Sequence, residues 1–219
     1  MLTEQIISFI APHYCLGCDM TGPILCVNCL LKLPTVPSRC YSCQTMTTGF
    51  KTCKRCVRTL QQVMPATAYG GLSKKLVHKL KFERASEAAK AMAKLMAKNI
   101  PDEDWLIVPV PTASSRIRRR GYDQAQLIAR HLSKIMANDT HSALVRLGQK
   151  RQVGETRKQR QLQIAGQFAS SPRAATKIAG RNILLIDDVM TTGATLESAA
   201  RAIKPLKPAR ICAAVFAAA

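Results

Sequence analysis

Acidic residues are scarce. Asp and Glu number 13 against 33 Lys and Arg, a formal charge of +20 at pH 7, so polyanions are attracted over the whole basic surface and released by salt. Nucleic acid is therefore an expected partner. Aromatic residues are scarce as well, 5% of a chain that is 47% hydrophobic. That balance favours an aliphatic α/β core over an aromatic-rich β-sandwich and excludes a disordered chain. Long apolar runs are missing. Residues 1–12 hold Ile6, Ile7, Phe9 and Ile10, but the stretch is too short to span a bilayer, carries acidic Glu4, and has no basic segment ahead of it as a secretion signal would. The expectation is a cytoplasmic protein beginning with an amphipathic turn or helix. No helix-turn-helix pattern stands out, which ranks a transcriptional regulator last.

Cysteine is what the chain has in excess. Eight of its nine cysteines fall between positions 15 and 56 as four Cys-x-x-Cys pairs, Cys15/Cys18, Cys26/Cys29, Cys40/Cys43 and Cys53/Cys56. Each pair can grip one tetrahedral Zn²⁺ from a tight turn, and without a secretion signal metal is favoured over disulfides. Two structural Zn²⁺ ions are expected, with a redox dithiol or an iron-sulfur cluster as weaker rivals. Pairing in chain order leaves gaps of seven and nine residues; a cross-braced arrangement, in which the first and third pairs share a metal, is equally open. His13 could substitute as a ligand but reads as a surface residue, His78 is not needed, and Cys212 reads as a small buried hydrophobe. Around the pairs lie Lys32, Arg39, Lys51, Lys54, Arg55 and Arg58, with Tyr41 and Phe50 available for base stacking. Two roles fit: a hold on single-stranded nucleic acid, or a metal-stabilised brace carrying solubilising charge.

At 219 residues the chain has room for one good core and a small module stabilised in another way. Residues 1–60 read as that module and 61–219 as the main domain, with 57–69 as the junction. Apolar spacing predicts helices over 72–82 and 85–99, a strand at 105–109, a helix over 123–136, strands at 143–147 and 183–186, a helix over 194–203 and a closing strand at 210–216. Strands alternating with helices imply a parallel, doubly wound sheet. The polar stretch 148–166, rich in Arg, Lys and Gln, is a long loop of the kind that usually has a function.

The stretch 183–195 reads Ile-Leu-Leu-Ile-Asp-Asp-Val-Met-Thr-Thr-Gly-Ala-Thr: a buried strand, two acids at its carboxyl end, and a Thr/Gly turn into a helix. Such a turn offers backbone N–H groups and the hydroxyls of Thr191, Thr192 and Thr195 to a phosphate at a helix N-terminus. Asp187 and Asp188 would repel that phosphate, so they must face hydroxyls of the same ligand or a hydrated Mg²⁺. A sugar phosphate meets both demands. The plainer alternative is an ordinary strand, cap and helix.

This stretch resembles the motif of the type I phosphoribosyltransferases, which bind 5-phosphoribosyl-1-pyrophosphate (PRPP). The resemblance implies that Asp187 and Asp188 hold the ribose 2′ and 3′ hydroxyls while Val189, Met190, Thr191, Thr192, Gly193, Ala194 and Thr195 wrap the 5-phosphate. It also implies Mg²⁺ accompanying the pyrophosphate that leaves C1. A second set of residues, Val108-Pro109-Val110-Pro111 followed by Arg116, Arg118, Arg119, Arg120, Gly121, Tyr122 and Gln124-Ala125, resembles the ComF family, ComFC-like and GntX-like proteins that join a double zinc ribbon to a phosphoribosyltransferase domain. Gln152, Arg160 and Phe168 fall in register with that family's Arg- and Gln-rich loop. Gln163 and Glu155 depart from its usual Asn and Leu, and Asp123 stands where Asn is common.

From the resemblance follow a type I phosphoribosyltransferase fold, a link to DNA uptake or nucleotide metabolism, and a competence helicase as partner. Arg118, Arg119 and Arg120 are candidates for neutralising pyrophosphate, and Gln152 and Arg160 for a lid that closes over PRPP. The acceptor nucleophile has no signature: Lys74, Lys75, Lys79 and Lys81 read as a solvated or phosphate-binding helix face. The rival to a transferase is a non-enzymatic single-strand DNA-binding accessory that keeps PRPP as a regulatory ligand.

Overall fold

A computed structural model describes residues 14–83, 85–147 and 166–219. The expected N-terminal helix and the loop positions Gln152, Glu155, Arg160 and Gln163 lie outside the described residues. In chain order the elements are α1 (Val27–Leu31), β1 (Gln62–Ala68), α2 (Gly71–Phe82), α3 (Ala85–Ala97), β2 (Trp105–Pro109), α4 (Ser114–Arg120), α5 (Gln124–Met136), β3 (Leu144–Arg146), β4 (Phe168–Ser170), α6 (Ala175–Ile178), β5 (Asn182–Met190), α7 (Ala194–Ile203) and β6 (Arg210–Ala218).

Four of the strands form one parallel sheet in the order β1-β6-β5-β2. Ile183, Leu184, Leu185 and Ile186 of β5 are completely buried, as a central parallel strand covered on both faces requires, and this is why the run is apolar without alternation. Leu184, Ile186 and Phe216 pack with Leu76 and Leu80 of α2, Met92 and Met96 of α3, and Ile128 and Leu132 of α5. On the opposite face Ile183, Leu185 and Val215 meet Leu196, Ala199, Ala200 and Ile203 of α7. The doubly wound α/β reading is what the structure shows.

Three local expectations are corrected. Residues 62–68, read as part of a junction, form β1; its Pro65 would disqualify a central strand but is tolerated at the sheet's edge, where a ladder donor can be spared. The strand around Leu144 does not join the main sheet: β3 pairs antiparallel with β4 in a separate two-stranded ribbon. The basic run ending at Arg120, whose plain alternative from sequence is a solvated basic turn, is instead a helix, stopped by Gly121 in the left-handed region at φ 80°.

Among the described residues the cysteine module has no separate core. Cys15, Ile24, Leu25, Cys29 and Leu33 belong to the same apolar cluster as α2 and α3, whereas Tyr41 and Leu60 belong to the cluster under α7. Its two halves thus contribute to the two layers that cover the sheet.

Candidate functional site

The carboxyl end of β5 gathers the sequence-predicted residues. Asp187 and Asp188 are half-buried, Thr191 and Thr192 are exposed, and Gly193 takes the N-cap position of α7 at φ 74°, a conformation that suits glycine. Each acid is turned along the strand by the next residue's backbone: the Asp188 N–H donates to Asp187 Oδ1 and the Val189 N–H to Asp188 Oδ1, both at 2.8 Å. Burial first, and then the charge of Asp188 beside it, push the Asp187 carboxyl well above the usual carboxylate range. Asp188 has a cationic partner, Lys81 Nζ at 3.1 Å from its Oδ2. Lys81 closes α2, the helix whose lysines the sequence left as solvated or phosphate-binding, and only the fold brings it here.

Beside this lies the end of β2. The Val110 N–H donates to the Ile186 carbonyl at 2.9 Å, and the following loop is fixed by Asp123, which accepts from the Thr112 N–H at 2.7 Å and caps α5 by accepting from the Gln126 N–H at 3.3 Å. Asp123 therefore does locally what Asn can also do through its carbonyl oxygen. Arg146, which the sequence reading missed, donates to the Pro111 carbonyl at 3.5 Å and to Gln167 Oε1 at 3.2 Å, with its guanidinium 5.3 Å from the Phe168 ring centre. Burial, then Arg116, pull the Arg146 pKa down, while Asp187 and Asp123 act to raise it. Of the predicted arginines, Arg119 and Arg120 line an open cavity of about 510 Å³ with Lys81, Phe82, Glu83 and Tyr122; Arg118 is exposed and is not among its lining residues.

The eight paired cysteines form two groups of four, Cys15/Cys18/Cys26/Cys29 and Cys40/Cys43/Cys53/Cys56, with all sulfurs of a group within 4.8 Å of one another. Pairing follows chain order, and the cross-braced alternative is excluded. Sulfurs of Cys18 and Cys26 lie 3.8 Å apart and those of Cys43 and Cys53 3.5 Å apart, close to the ~3.8 Å edge of a tetrahedron with Zn–S bonds of about 2.3 Å. Each group could hold a zinc ion. The two also share a turn: the Cys15 N–H donates to the Met20 carbonyl and the Cys40 N–H to that of Thr45, with Asp19 and Gln44 at positive φ in equivalent places. Burial raises the Cys15 thiol, but backbone N–H groups of Cys26, Gly17 and Cys18 outweigh it and bring it down to about 6. The Thr45 hydroxyl, 3.3 Å from the Cys43 sulfur, and then the Thr45 N–H bring Cys43 down to about 6. Arg55 in turn donates to the Thr45 hydroxyl at 3.2 Å, and Arg58 to the Ser42 hydroxyl at 2.9 Å. When bound, a zinc ion would supply a cross-link between turns that pack on the main sheet.

Tyr41 is not available for base stacking. It is buried, and its hydroxyl donates to Glu197 Oε2 of α7 at 2.7 Å. Glu197 also accepts from the Thr59 N–H at 2.8 Å and the Leu60 N–H at 3.3 Å. The Tyr41 ring lies against Gly193, where a Cβ would come within 2.7 Å of its Cδ2. The second cysteine group is thus built onto the helix that follows the Thr/Gly loop. Phe50 is half-buried, while Lys32, Arg39, Lys51 and Lys54 are exposed as expected. Cys212 is fully buried, in keeping with its reading as a core residue.

A doubly wound sheet whose β5 ends in two acids and a Thr/Gly loop, with two four-cysteine groups at its N-terminal side, defines a phosphoribosyltransferase-like protein carrying a double zinc-ribbon module. The chain belongs to the phosphoribosyl transferase domain family, which matches residues 81–219, and within it to the ComF type. It is 30% identical over 193 residues to the competence protein ComFC of Bacillus subtilis (strain 168), covering 82% of this chain and 77% of that one. It is 26% identical over 211 residues to the DNA utilization protein YhgH of Escherichia coli (strain K12), covering 87% and 90%. Among solved structures, a hypoxanthine-guanine phosphoribosyltransferase from Bacillus anthracis matches at 18% identity with a TM-score of 0.37, over 61% of this chain and 67% of that one.

Proposed function

We propose that the carboxyl end of β5 binds Mg²⁺–PRPP and that the chain acts on it as a phosphoribosyltransferase in DNA uptake or nucleotide metabolism. The observation that carries the reading is the placement of Asp187 and Asp188 near the carboxyl end of β5, with Val189 and Met190 between them and a Thr/Gly loop that opens into α7. In this reading the N–H groups and hydroxyls of residues 191–195 hold the 5-phosphate, and the two carboxyls accept from the ribose 2′ and 3′ hydroxyls. Positive charge grows on the ribose ring as the C1–oxygen bond to pyrophosphate breaks. Carboxylates fixed beneath the ring would stabilise it, and the bond to a nitrogenous acceptor would form on the vacated C1. The assigned boundary, a metal module over 1–60 and a transferase domain over 61–219, belongs to the same proposal. So does a cytoplasmic setting; among the described residues no helix is long and apolar enough to cross a membrane.

A second reading, an accessory that holds single-stranded DNA and senses PRPP without turning it over, draws support from exposed Lys32, Arg39, Lys51 and Lys54 around the cysteine groups. A competence helicase partner would suit either role. Both readings need the PRPP site, so one titration tests it: Mg²⁺ and PRPP into the wild type and into a double variant, Asp187→Asn with Asp188→Asn, at salt high enough to suppress non-specific anion binding. Saturable heat in the wild type that the variant lacks is expected. No binding by either protein would discard the PRPP reading.

A further inference from the structure

The two cysteine groups are seated on different parts of the chain. The first meets α2: a Cβ at Gly17 would come within 2.6 Å of Cys29 Sγ and 3.2 Å of Leu72 Cδ2, and Cys15, Ile24, Leu25, Cys29 and Leu33 pack in the cluster that includes α2 and α3. The second meets the element that carries the Thr/Gly loop. Tyr41, between Cys40 and Cys43, packs in the cluster under α7. Its ring lies against Gly193 and its hydroxyl donates to Glu197 in the first turn of α7. Thr59 and Leu60, shortly after Cys56, donate their N–H groups to the same carboxylate.

Gly193 is where the loop has most freedom, since glycine adopts φ of either sign at little cost. Yet the loop must keep one shape if its N–H groups are to converge on a phosphate. On the module's side the Tyr41 ring fixes that shape: a Cβ on Gly193 would come within 2.7 and 3.0 Å of two ring carbons, so the backbone cannot swing toward the module without moving the ring. The packing around this contact is open, a cavity of about 220 Å³ lined by Arg39, Gln44 and Phe50 of the module and by Met190 and Thr191. Tyr41 is thus a narrow seat held at both ends. Glu197 holds its hydroxyl, and its backbone lies in the turn closed by the Cys40 N–H on the Thr45 carbonyl at 2.9 Å and the Gln44 N–H on the Cys40 carbonyl at 2.8 Å.

We propose that Tyr41 is a positioning residue for the phosphate loop, and that metal at the second cysteine group and a ligand at the loop therefore strengthen one another's binding while the first group takes no part. The inference rests on the PRPP reading of the loop and adds metal-dependent control to it. The turn around Tyr41 and the segment leading to Thr59 and Leu60 come from opposite halves of the second group. An ion on its four sulfurs would fix the two halves to each other, and with them both attachments that bear on α7. Linkage is reciprocal: the factor by which metal tightens the ligand is the factor by which the ligand tightens metal. The first group is joined to α2 and α3, so its metal has no such lever on the loop.

The test is the zinc affinity of the full chain at both groups, measured by equilibrium competition with a chelator, with and without saturating PRPP and with Mg²⁺ in excess so that it accompanies the sugar phosphate. Exposed Cys18 and Cys43 tell the groups apart, since Cys18→Ser and Cys43→Ser each weaken one of them. PRPP is expected to tighten zinc at the second group by about 5-fold or more, the usual scale of such coupling, and to leave the first group unmoved. Tyr41→Leu, confirmed by metal analysis to bind two zinc ions, should lose the coupling and bind PRPP about 5-fold more weakly. Tyr41→Phe, which keeps the ring against Gly193, should retain most of it. A Tyr41 that served stability alone would lower the melting temperature and leave the coupling intact, which would overturn its positioning role. Equal tightening of both groups would mean that PRPP acts through overall stability, and PRPP that binds yet tightens neither would mean that the sites are independent; either result sinks the proposal. That contrast between the groups decides the matter in the wild type even if Tyr41→Leu does not fold. A wild type loaded with zinc that binds no PRPP would instead locate the failure in the reading of the phosphate loop, and the coupling would fall with it.

Discussion

At the scale of single residues, the two acids of β5 differ more than their adjacency suggests. Asp188 has a cation at 3.1 Å, whereas half-buried Asp187 lies beside Asp188, its carboxyl pushed up by desolvation and by that charge. A raised carboxyl holds its proton to higher pH in the empty site. Ribose hydroxyls need an acceptor, so sugar binding favours the ionised form and expels the proton. PRPP should therefore bind more tightly as pH rises through the Asp187 titration. Calorimetry in two buffers of different ionisation enthalpy should show a proton released by the wild type and not by Asp187→Asn. Equal proton counts for the two proteins would mean that Asp187 is ionised before the sugar arrives. The linkage for folding has the opposite sign: a carboxyl raised in the folded state destabilises it progressively as pH rises, so Asp187→Asn should gain stability over the wild type as pH climbs above the unfolded carboxyl's value of about 4. Gly193 offers a second residue-scale test. Any Cβ there meets Tyr41 at 2.7 Å and is held at φ 74°. Gly193→Ala should cost about 1–3 kcal/mol of stability from backbone strain alone, read as a lower melting temperature, and should weaken PRPP because the loop carrying Thr191 and Thr192 must shift.

At the scale of elements, α7 is shared between the phosphate loop and the second cysteine group. Glu197 takes three donors, the Tyr41 hydroxyl and the Thr59 and Leu60 N–H groups, and Arg201 lies 3.4 Å from its Oε1. Burial raises its carboxyl, but the hydrogen bonds outweigh burial and hold it below its ordinary value of 4.5. A depressed carboxyl contributes stability above its unfolded pKa and loses it as pH falls through the folded one. The stability advantage of wild type over Glu197→Gln should thus be full near neutrality and shrink below about pH 4.5. A difference that stays constant from pH 7 to pH 3 would show that charge at Glu197 is not what matters. None of this was legible in the sequence, because Tyr41 and Glu197 are 156 positions apart and each alone looks ordinary. β5 and α7 were legible, since a continuous apolar strand, two acids and a Thr/Gly turn constrain one another locally. Lys81 and Arg146 could not be assigned to the site, because α2 and β3 are ordinary by pattern and reach it only through tertiary placement. β1 was obscured by Pro65, whose tolerance depends on an edge position that only the strand order reveals.

At the scale of the molecule, two four-cysteine groups that could each hold a metal and one strong charge imbalance act together. Cys15, Ile24, Leu25 and Cys29 pack into the main core, so stripping metal from the cysteine groups should not release an independent module. It should lower the melting temperature of the whole chain, and a chelator that leaves the single unfolding transition unmoved would argue against metal at either group. The charge is spread unevenly. Between Asp19 and Glu83 there is no acidic residue, while Lys32, Arg39, Lys51, Lys54, Arg55, Arg58, Lys74, Lys75, Lys79 and Lys81 all fall in that interval. Arg55 and Arg58 donate to hydroxyls of their own ribbon, which leaves exposed Lys32, Arg39, Lys51 and Lys54 as the basic surface of the cysteine module. A single-stranded oligonucleotide held there should dissociate steeply with salt, because log K falls by about 0.7 per phosphate neutralised for each tenfold rise in salt. PRPP held by N–H donors and fixed carboxylates should lose much less over the same range. Replacing Lys32, Arg39, Lys51 and Lys54 with Gln should flatten the oligonucleotide slope by about 0.7 for each phosphate contact removed, without moving PRPP affinity at high salt. A slope unchanged by all four replacements would place nucleic-acid binding elsewhere, whereas a parallel loss of PRPP would show that the cysteine module's charge acts on the phosphate loop as well as on its own surface.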